Sequence, residues 1–143
     1  MEEKNNSIAK SITLSNNVAD VPILAGFVEE VCEEAGIDMA TMMQLNLAIE
    51  EAVVNVMDYA YPAGTEGNVL VDAKVDNGQL HIIITDKGTP FDPTAKADVD
   101  TTLSAEERSI GGLGIHLIRT IMDDVIYERV DDRNVLTLIK KIQ

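Results

Sequence analysis

The stretch "NVLVDAKVDNGQLHIIITD", residues 68–86, predicts the central hairpin of a β-sheet. Apolar side chains occupy every second position in both halves: Val69, Val71, Ala73, Val75, Leu80, Ile82 and Ile84. This alternation is typical of strands that bury one face only. Between the halves, Asn77-Gly78 is a dipeptide that two-residue hairpin turns prefer, because both positions need a positive φ. The stretch therefore predicts an antiparallel pair with one face covered by other elements.

The remaining segments predict further strands and three helices. Strand-like alternation recurs in "SIAKSITLS", "DVIYERV" and "VLTLIKKI", of which the last two form a final hairpin. Helical spacing starts at Val21 and stops at Gly36, resumes after an N-cap at Asp38, and returns after "GGLG". We predict one domain, residues 1–143, of the α+β class. It is a two-layer α/β sandwich with a mixed, mostly antiparallel sheet and helices on one face.

Composition narrows the range of partners. The 143 residues carry a formal net charge of −14, which disfavours nucleic acid, because binding its backbone needs Lys and Arg against the phosphates. A nucleotide is still possible, since it needs only a few local donors and a metal. Aromatic residues are only 3% of the chain, so we expect Met39, Met42 and Met43 to fill the core. The sequence has no secretory signal and no bilayer-spanning apolar run, so we expect a cytoplasmic protein without a membrane partner.

The stretch "IEEAVVNVMDYAY", residues 49–61, places polar side chains on one face of the second helix. Glu51 and Asn55 are four residues apart, and Tyr59 continues the line. A carboxylate can accept a proton from a hydroxyl, and an amide oxygen is a ligand that Mg²⁺ accepts. The alternative is a solvated helix face with a polar pair, and this stretch alone favours that alternative.

The stretch "DKGTPFDP", residues 86–93, follows the isoleucine-rich strand. Asp86 can accept a hydrogen bond from an exocyclic amine such as that of adenine. Gly88 has no Cβ, so a planar ring can approach its backbone, and Pro90 stiffens the exit. The alternative is a simple turn in which Gly88 supplies a positive φ. In isolation the turn is favoured.

The stretch "SIGGLGIHL", residues 109–117, places Gly111, Gly112 and Gly114 before an amphipathic helix. The N-terminus of a helix offers unpaired N–H groups and a positive dipole end to a phosphate. Arg108, just upstream, adds a cation. The pattern is neither a P-loop nor a dinucleotide fingerprint, so it is a weak signal alone. The polar segment 92–110 is typical of a functional lid or of a disordered loop.

Taken together and in this order, the three motifs resemble the GHKL ATPase/kinase superfamily and its Bergerat nucleotide-binding fold. The closest resemblance is to the small anti-sigma-factor serine kinases of bacterial partner-switching systems. "EAVVN", residues 51–55, is similar to the N-box of that family, which implies a general base at Glu51 and a magnesium ligand at Asn55. "DKGTPFDP" resembles the first glycine box, which implies that Asp86 binds adenine and that Gly88 packs closely.

"EERSIGGLGIHLIRTIMDDVIYE", residues 106–128, resembles the second glycine box and its helix. The resemblance implies a set of residues around the nucleotide: Asn55, Tyr59, Asp86, Gly88, Pro90, Arg108, Gly111, Gly112, Leu113 and Gly114. Tyr59 stands where the family often carries His. A tyrosine can still donate a hydrogen bond, although it is bulkier and titrates at a far higher pH.

The resemblance also implies a function and partners. It implies ATP or ADP with Mg²⁺, and a protein serine/threonine kinase that acts as an anti-sigma factor. The partners would be a sigma factor and a STAS-type anti-anti-sigma protein that is phosphorylated, and the chain would form a homodimer. Two alternatives stay open: a non-catalytic ATP- or ADP-binding module that sequesters a protein, and a structural domain with decayed motifs. Glu51 favours a kinase over the first, and Asp86 with Gly88 disfavours the second.

Overall fold

In the computed structural model, which describes residues 8–62, 64–95 and 110–142, five strands form one sheet. They are β1 (Ile8–Ser15), β2 (Asn68–Asp76), β3 (Gln79–Asp86), β4 (Asp124–Val130) and β5 (Arg133–Lys141). Their order is β1-β2-β3-β5-β4, and every adjacent pair is antiparallel. The predicted central hairpin is confirmed as β2–β3, and Asn77 and Gly78 turn with φ of 53° and 76°. In the described residues the sheet is therefore antiparallel throughout rather than mixed.

Three helices complete the structure: α1 (Val21–Ala35), α2 (Met39–Tyr59) and α3 (Ile110–Ile121). The predicted boundary between the first two is confirmed. Gly36 ends α1 in the left-handed region at φ 73°, and the Asp38 carboxylate accepts a hydrogen bond from the Thr41 N–H at 3.1 Å. No helix in the described part of the chain is both long enough and apolar enough to cross a membrane.

The start of α3 differs from the prediction. The helix begins at Ile110, so Gly111, Gly112 and Gly114 lie in its first turns and not in a loop before it. Glycine lowers helix stability by about 1 kcal/mol relative to alanine. Packing of the buried Ile115 and Ile118 further along α3 offsets this cost.

The helices cover one face of the sheet, which confirms the two-layer sandwich. Inward-facing strand residues are buried in strict alternation: Leu14, Val69, Val71, Ala73, Leu80, Ile82, Ile84, Leu136 and Leu138. Helical residues packed against them include Leu24, Val31, Leu45, Ile49, Val53 and Ile118. The expectation for the methionines is wrong in two cases. Met39 and Met43 are 70% and 63% exposed, because they lie on the side of α2 away from this core.

The candidate site lies at one end of the central strands β3 and β5. The β4–β5 hairpin turns at Asp131 and Asp132, with φ of 52° and 64°, and β5 begins at Arg133, two residues before the predicted strand. This register places Asn134 directly opposite Asp86, the last residue of β3. Both side chains point to the helical face, since they continue the inward alternation of their strands.

Because only one face of the sheet is buried, we expect two adjacent isoleucines of β3 to contribute differently to stability. Ile84 is fully buried, whereas Ile83 is only partly buried on the open face. Ile84→Ala is expected to lower the free energy of unfolding by about 2–5 kcal/mol, because it leaves a cavity in the core. The matched control Ile83→Ala should cost less than half as much. Urea unfolding of both variants measures the difference, and equal losses would contradict a sheet covered on one face.

Candidate functional site

The side chain of Asp86 is the most unusual group in the core. It is only 2% exposed. Its Oδ1 accepts hydrogen bonds from the Gly88 N–H at 2.8 Å and from Asn134 Nδ2 at 2.9 Å. Its Oδ2 is buried and has no hydrogen-bond partner among the described residues. Because a buried acceptor is costly to leave unpaired, this oxygen is suited to receive a donor from a ligand.

Burial raises the pKa of the Asp86 carboxyl. The hydrogen bonds from Asn134 and Gly88 and the positive charge of Arg129 act in the opposite direction, because they favour the ionised form. The ionised carboxyl has acceptor oxygens only. Oδ2 therefore matches an exocyclic amine, which donates, and not a carbonyl oxygen.

Asn134 is a site residue that the sequence prediction missed. It is 3% exposed, and its Nδ2 also donates to the Thr89 carbonyl at 2.8 Å. Its Oδ1 accepts from the Phe91 N–H at 3.2 Å and from the Tyr127 hydroxyl. These two donors determine which end of the amide faces Asp86. The signal in the sequence was a polar residue at an inward position of β5, two residues before Leu136.

Gly88 is held against the end of α2. A Cβ at this position would lie 2.3 Å from the Ala60 carbonyl oxygen, which is too close for any side chain. The same oxygen accepts hydrogen bonds from Thr89 N at 2.7 Å and Thr89 Oγ1 at 3.1 Å. Gly88 does not have a positive φ, so the simple-turn explanation for this glycine is wrong. Close packing of backbone on backbone requires it.

Asn55 and Glu51 lie roughly one and two turns before this contact, on one face of α2. Asn55 is 2% exposed, and its Nδ2 has no hydrogen-bond partner among the described residues. Glu51 is partly buried. Its burial, together with the negative charges of Glu50 and Asp58, raises the pKa of the Glu51 carboxyl. A carboxylate with a raised pKa accepts a proton more readily near neutral pH.

Tyr59 and α3 bound the same region. The Tyr59 ring stacks on Phe91 with centroids 5.4 Å apart and an interplanar angle of 26°. This contact brings the end of α2 next to the segment that follows Asp86. α3 packs against α2, and Arg119 Nη2 donates to the Thr94 carbonyl at 2.7 Å. The structure thus brings the N-box residues, the first glycine box and α3 to one edge of the sheet.

For the other predicted site residues, the structure shows no contact with Asp86, Glu51 or Asn55, or does not describe them. Pro90 is exposed and lines a cavity that includes no described residue of α2. The backbone of Gly111, Gly112, Leu113 and Gly114 lies in the first turns of α3. Arg108 and most of the predicted lid lie outside the described residues.

The polar groups at this site fit an adenine nucleotide. The unpartnered Asp86 oxygen suits the amine of a purine base, and an amide and a carboxylate on α2 offer oxygen atoms of the kind that a hard cation takes. No group of three or more His, Cys, Asp or Glu side chains in the described part of the chain could hold a metal by itself. A cation here would therefore complete its shell with water and phosphate oxygens, as Mg²⁺ usually does.

The raised pKa of Glu51 predicts a pH-dependent cost in stability. A carboxyl that is more easily protonated in the folded state destabilises that state once it is ionised, so the cost is present above the ordinary pKa of 4.5 and disappears below it. Glu51→Gln is therefore expected to raise the melting temperature at pH 7.5, with a smaller gain at pH 5.0. Glu29→Gln, an exposed residue of α1, is the control. Equal gains at both pH values would show that Glu51 carries no such penalty.

Comparisons with known proteins all point to one family of ATPase domains. Residues 14–140 match the model of the histidine kinase-like ATPase domain. The serine-protein kinase RsbW of Listeria monocytogenes serovar 1/2a is 33% identical over 99 residues, 66% of this chain and 63% of that kinase. RsbW of Bacillus pumilus is 36% identical over 87 residues, 57% and 54% of the two chains. RsbW of Halalkalibacterium halodurans is 30% identical over 118 residues, 80% and 70%.

A solved structure agrees with the fold. The RsbU and RsbW domains of a Mycobacterium tuberculosis protein superpose with a TM-score of 0.68 at 16% identity, over 94% of this chain and 32% of that one. The chain spans less than two thirds of the length of the Listeria and Bacillus kinases. The matches confirm the resemblance to GHKL ATPases and serine kinases that the motifs indicated. The chain therefore belongs to the histidine kinase-like ATPase domain family.

Proposed function

We propose that this chain binds ATP with magnesium and transfers the terminal phosphoryl group to a serine or threonine of a protein partner. The observation that carries the proposal is the Oδ2 of Asp86, which has no hydrogen-bond partner within the described ranges. Asp86 begins a turn packed against the helix that bears Glu51 and Asn55. The relatives described above are named serine-protein kinases, which supports the same activity.

Asp86 recognises the adenine base. Its Oδ2 accepts a hydrogen bond from the exocyclic amine of adenine, while Asn134 and Gly88 already occupy Oδ1. Only one carboxylate oxygen is therefore presented to the ligand. The other residues proposed to contact the nucleotide are Tyr59, Gly88, Pro90, Arg108, Gly111, Gly112, Leu113 and Gly114. Gly111 and Gly112 lie in the first turn of α3, where backbone N–H groups have no helical acceptor, and these two groups would donate to phosphate oxygens.

Glu51 and Asn55 act at the phosphates. The Asn55 amide oxygen is the proposed ligand of Mg²⁺, which supplies neutralisation of phosphate charge when it is bound. Glu51 accepts the proton of the substrate hydroxyl, so that the oxygen can attack the terminal phosphorus as ADP leaves. A net charge of −14 makes a metal important, because an acidic protein repels a polyanion.

The proposed partners are those that the motif resemblance implies. We propose that the chain holds and silences a sigma factor, phosphorylates a STAS-type anti-anti-sigma protein, and works as a homodimer. With such partners it would act in the cytoplasm. The RsbW relatives and the structure that contains both RsbU and RsbW domains support a role in partner switching.

Base recognition is tested at Asp86. Asp86→Asn keeps the shape of the side chain but removes its charge, so ATP affinity should fall by about tenfold or more, as expected for loss of a charge-assisted hydrogen bond. Asp76→Asn, an exposed residue at the far end of β2, is the control. Isothermal titration with ATP and MgCl₂ gives both affinities, and circular dichroism checks folding. An unchanged affinity in Asp86→Asn would exclude this carboxylate as the adenine acceptor.

Phosphotransfer is tested at Glu51. Glu51→Ala should bind ATP within about threefold of the parent but lose at least 100-fold in transfer rate, the usual contribution of a general base. Glu50→Ala, the adjacent acid on a different helix face, is the matched control. Transfer from radiolabelled ATP to candidate STAS proteins measures the rate. Transfer at the parent rate would exclude Glu51 as the base, whereas ATP binding without a labelled partner would favour the non-catalytic module.

A further inference from the structure

A second concave region lies at the same edge of the sheet, next to the turn formed by residues 86–90. It is a cavity of about 900 Å³. Leu70 and Thr85, which are register partners on the open face of β2 and β3, form part of its lining. Among the described residues, none of the lining residues belongs to α1, α2 or α3. The cavity therefore lies outside the helical face that carries Glu51 and Asn55, and it shares Asp86, Gly88 and Pro90 with the proposed nucleotide site.

Three cations surround this cavity: Lys87, Arg129 and Arg133. All three are exposed, and within the described ranges none of them forms a salt bridge. The lining has only two carboxylates, Glu66 and the buried Asp86. The whole chain has 25 acidic and 11 basic residues, so the balance of charge is reversed here. Because the three cations outnumber the two carboxylates of the lining, this rim attracts an anion.

The geometry of the cations favours an acidic group at the rim. Arg129 Nη1 donates to the Gly88 carbonyl at 2.9 Å, which orients the guanidinium and leaves its other N–H groups for a ligand. The remainder of the lining is more apolar, and includes Leu70, Tyr61 and Pro90. Pockets for small ligands combine an apolar wall with a few convergent polar groups, in volumes of roughly 300–1,000 Å³.

We propose that this cavity binds a small organic anion with a flat apolar body, whose acidic group is held by Lys87, Arg129 and Arg133. The apolar body lies against Leu70 and the small exposed part of Tyr61, whose ring is otherwise buried. The volume and the single cluster of cations favour one compact ligand over an extended acidic segment of another protein. The proposal does not depend on the transfer of phosphate, because none of these five side chains has a role in that reaction.

The test uses 8-anilinonaphthalene-1-sulfonate, an aromatic sulfonate that fluoresces in apolar surroundings, and the full chain without nucleotide. We expect one site per chain. Arg133→Glu should weaken binding at least tenfold, because it reverses a charge at the rim. Leu70→Trp should weaken it at least as much by filling the cavity. Lys74→Glu is the matched control, with the same charge change at an exposed position four residues along β2 from Leu70, and it should stay within twofold.

A competition experiment tests the need for both parts of the ligand. Naphthalene-1-sulfonate should displace the probe, and the uncharged 1-naphthalenemethanol should not. Absence of probe binding to the parent chain, or affinity unchanged in both Arg133→Glu and Leu70→Trp, would overturn the proposal. Displacement by a glutamate-rich peptide but not by naphthalene-1-sulfonate would also overturn it. Each variant is checked by its melting temperature. A failure of ATP binding would leave these results unaffected, so the two proposals are tested separately.

Discussion

The carbonyl oxygen of Ala60 joins the helical layer to the edge of the sheet. It accepts two hydrogen bonds from Thr89 and would lie only 2.3 Å from a Cβ at position 88. Because Ala60 follows α2 directly, this contact determines where Asn55 and Glu51 lie relative to Asp86. A larger residue at position 88 would push the helix away from the turn, so the glycine maintains the distance between Asp86 and the polar residues of α2.

Polar groups are concentrated at this edge in a core that is otherwise apolar. Asn55, Asp86 and Asn134 are the buried polar residues of the described chain, and Asp86 and Asn134 are bonded to each other. Buried polar groups reduce stability unless they are fully paired. Asp86 and Asn55 each keep an atom without a partner among the described residues. Such a cost is typical of binding sites, where stability is lower so that a ligand can be recognised.

The turn at residues 86–90 separates two environments of opposite character. On the helical side, Glu51 lies near Glu50 and Asp58, so that negative charge accumulates there. On the other side, Lys87, Arg129 and Arg133 create a positive rim. Arg129 connects the two environments. It donates a hydrogen bond to the Gly88 carbonyl, and its positive charge favours the ionised form of Asp86. One short segment thus contacts both concave regions.

Much of the fold and part of the site could be predicted from the sequence. Alternation at β2 and β3, the Asn77-Gly78 turn and the caps at Gly36 and Asp38 depend on residues within a few positions of one another, so they are determined locally. The shared helix face of Glu51 and Asn55 follows from the same short-range geometry. The motif resemblance added the family, although the roles of individual residues remain proposals.

Only the tertiary structure decided which distant residues meet. Asn134 lies opposite Asp86 because of the register between β3 and β5, which joins positions 48 residues apart. Gly88 is required by the backbone of Ala60, and Met39 and Met43 are exposed because the packing of α2 turns them outward. Local propensity and periodicity specify which face a residue occupies on its own element. They do not specify what lies opposite, since that depends on the packing of all elements together.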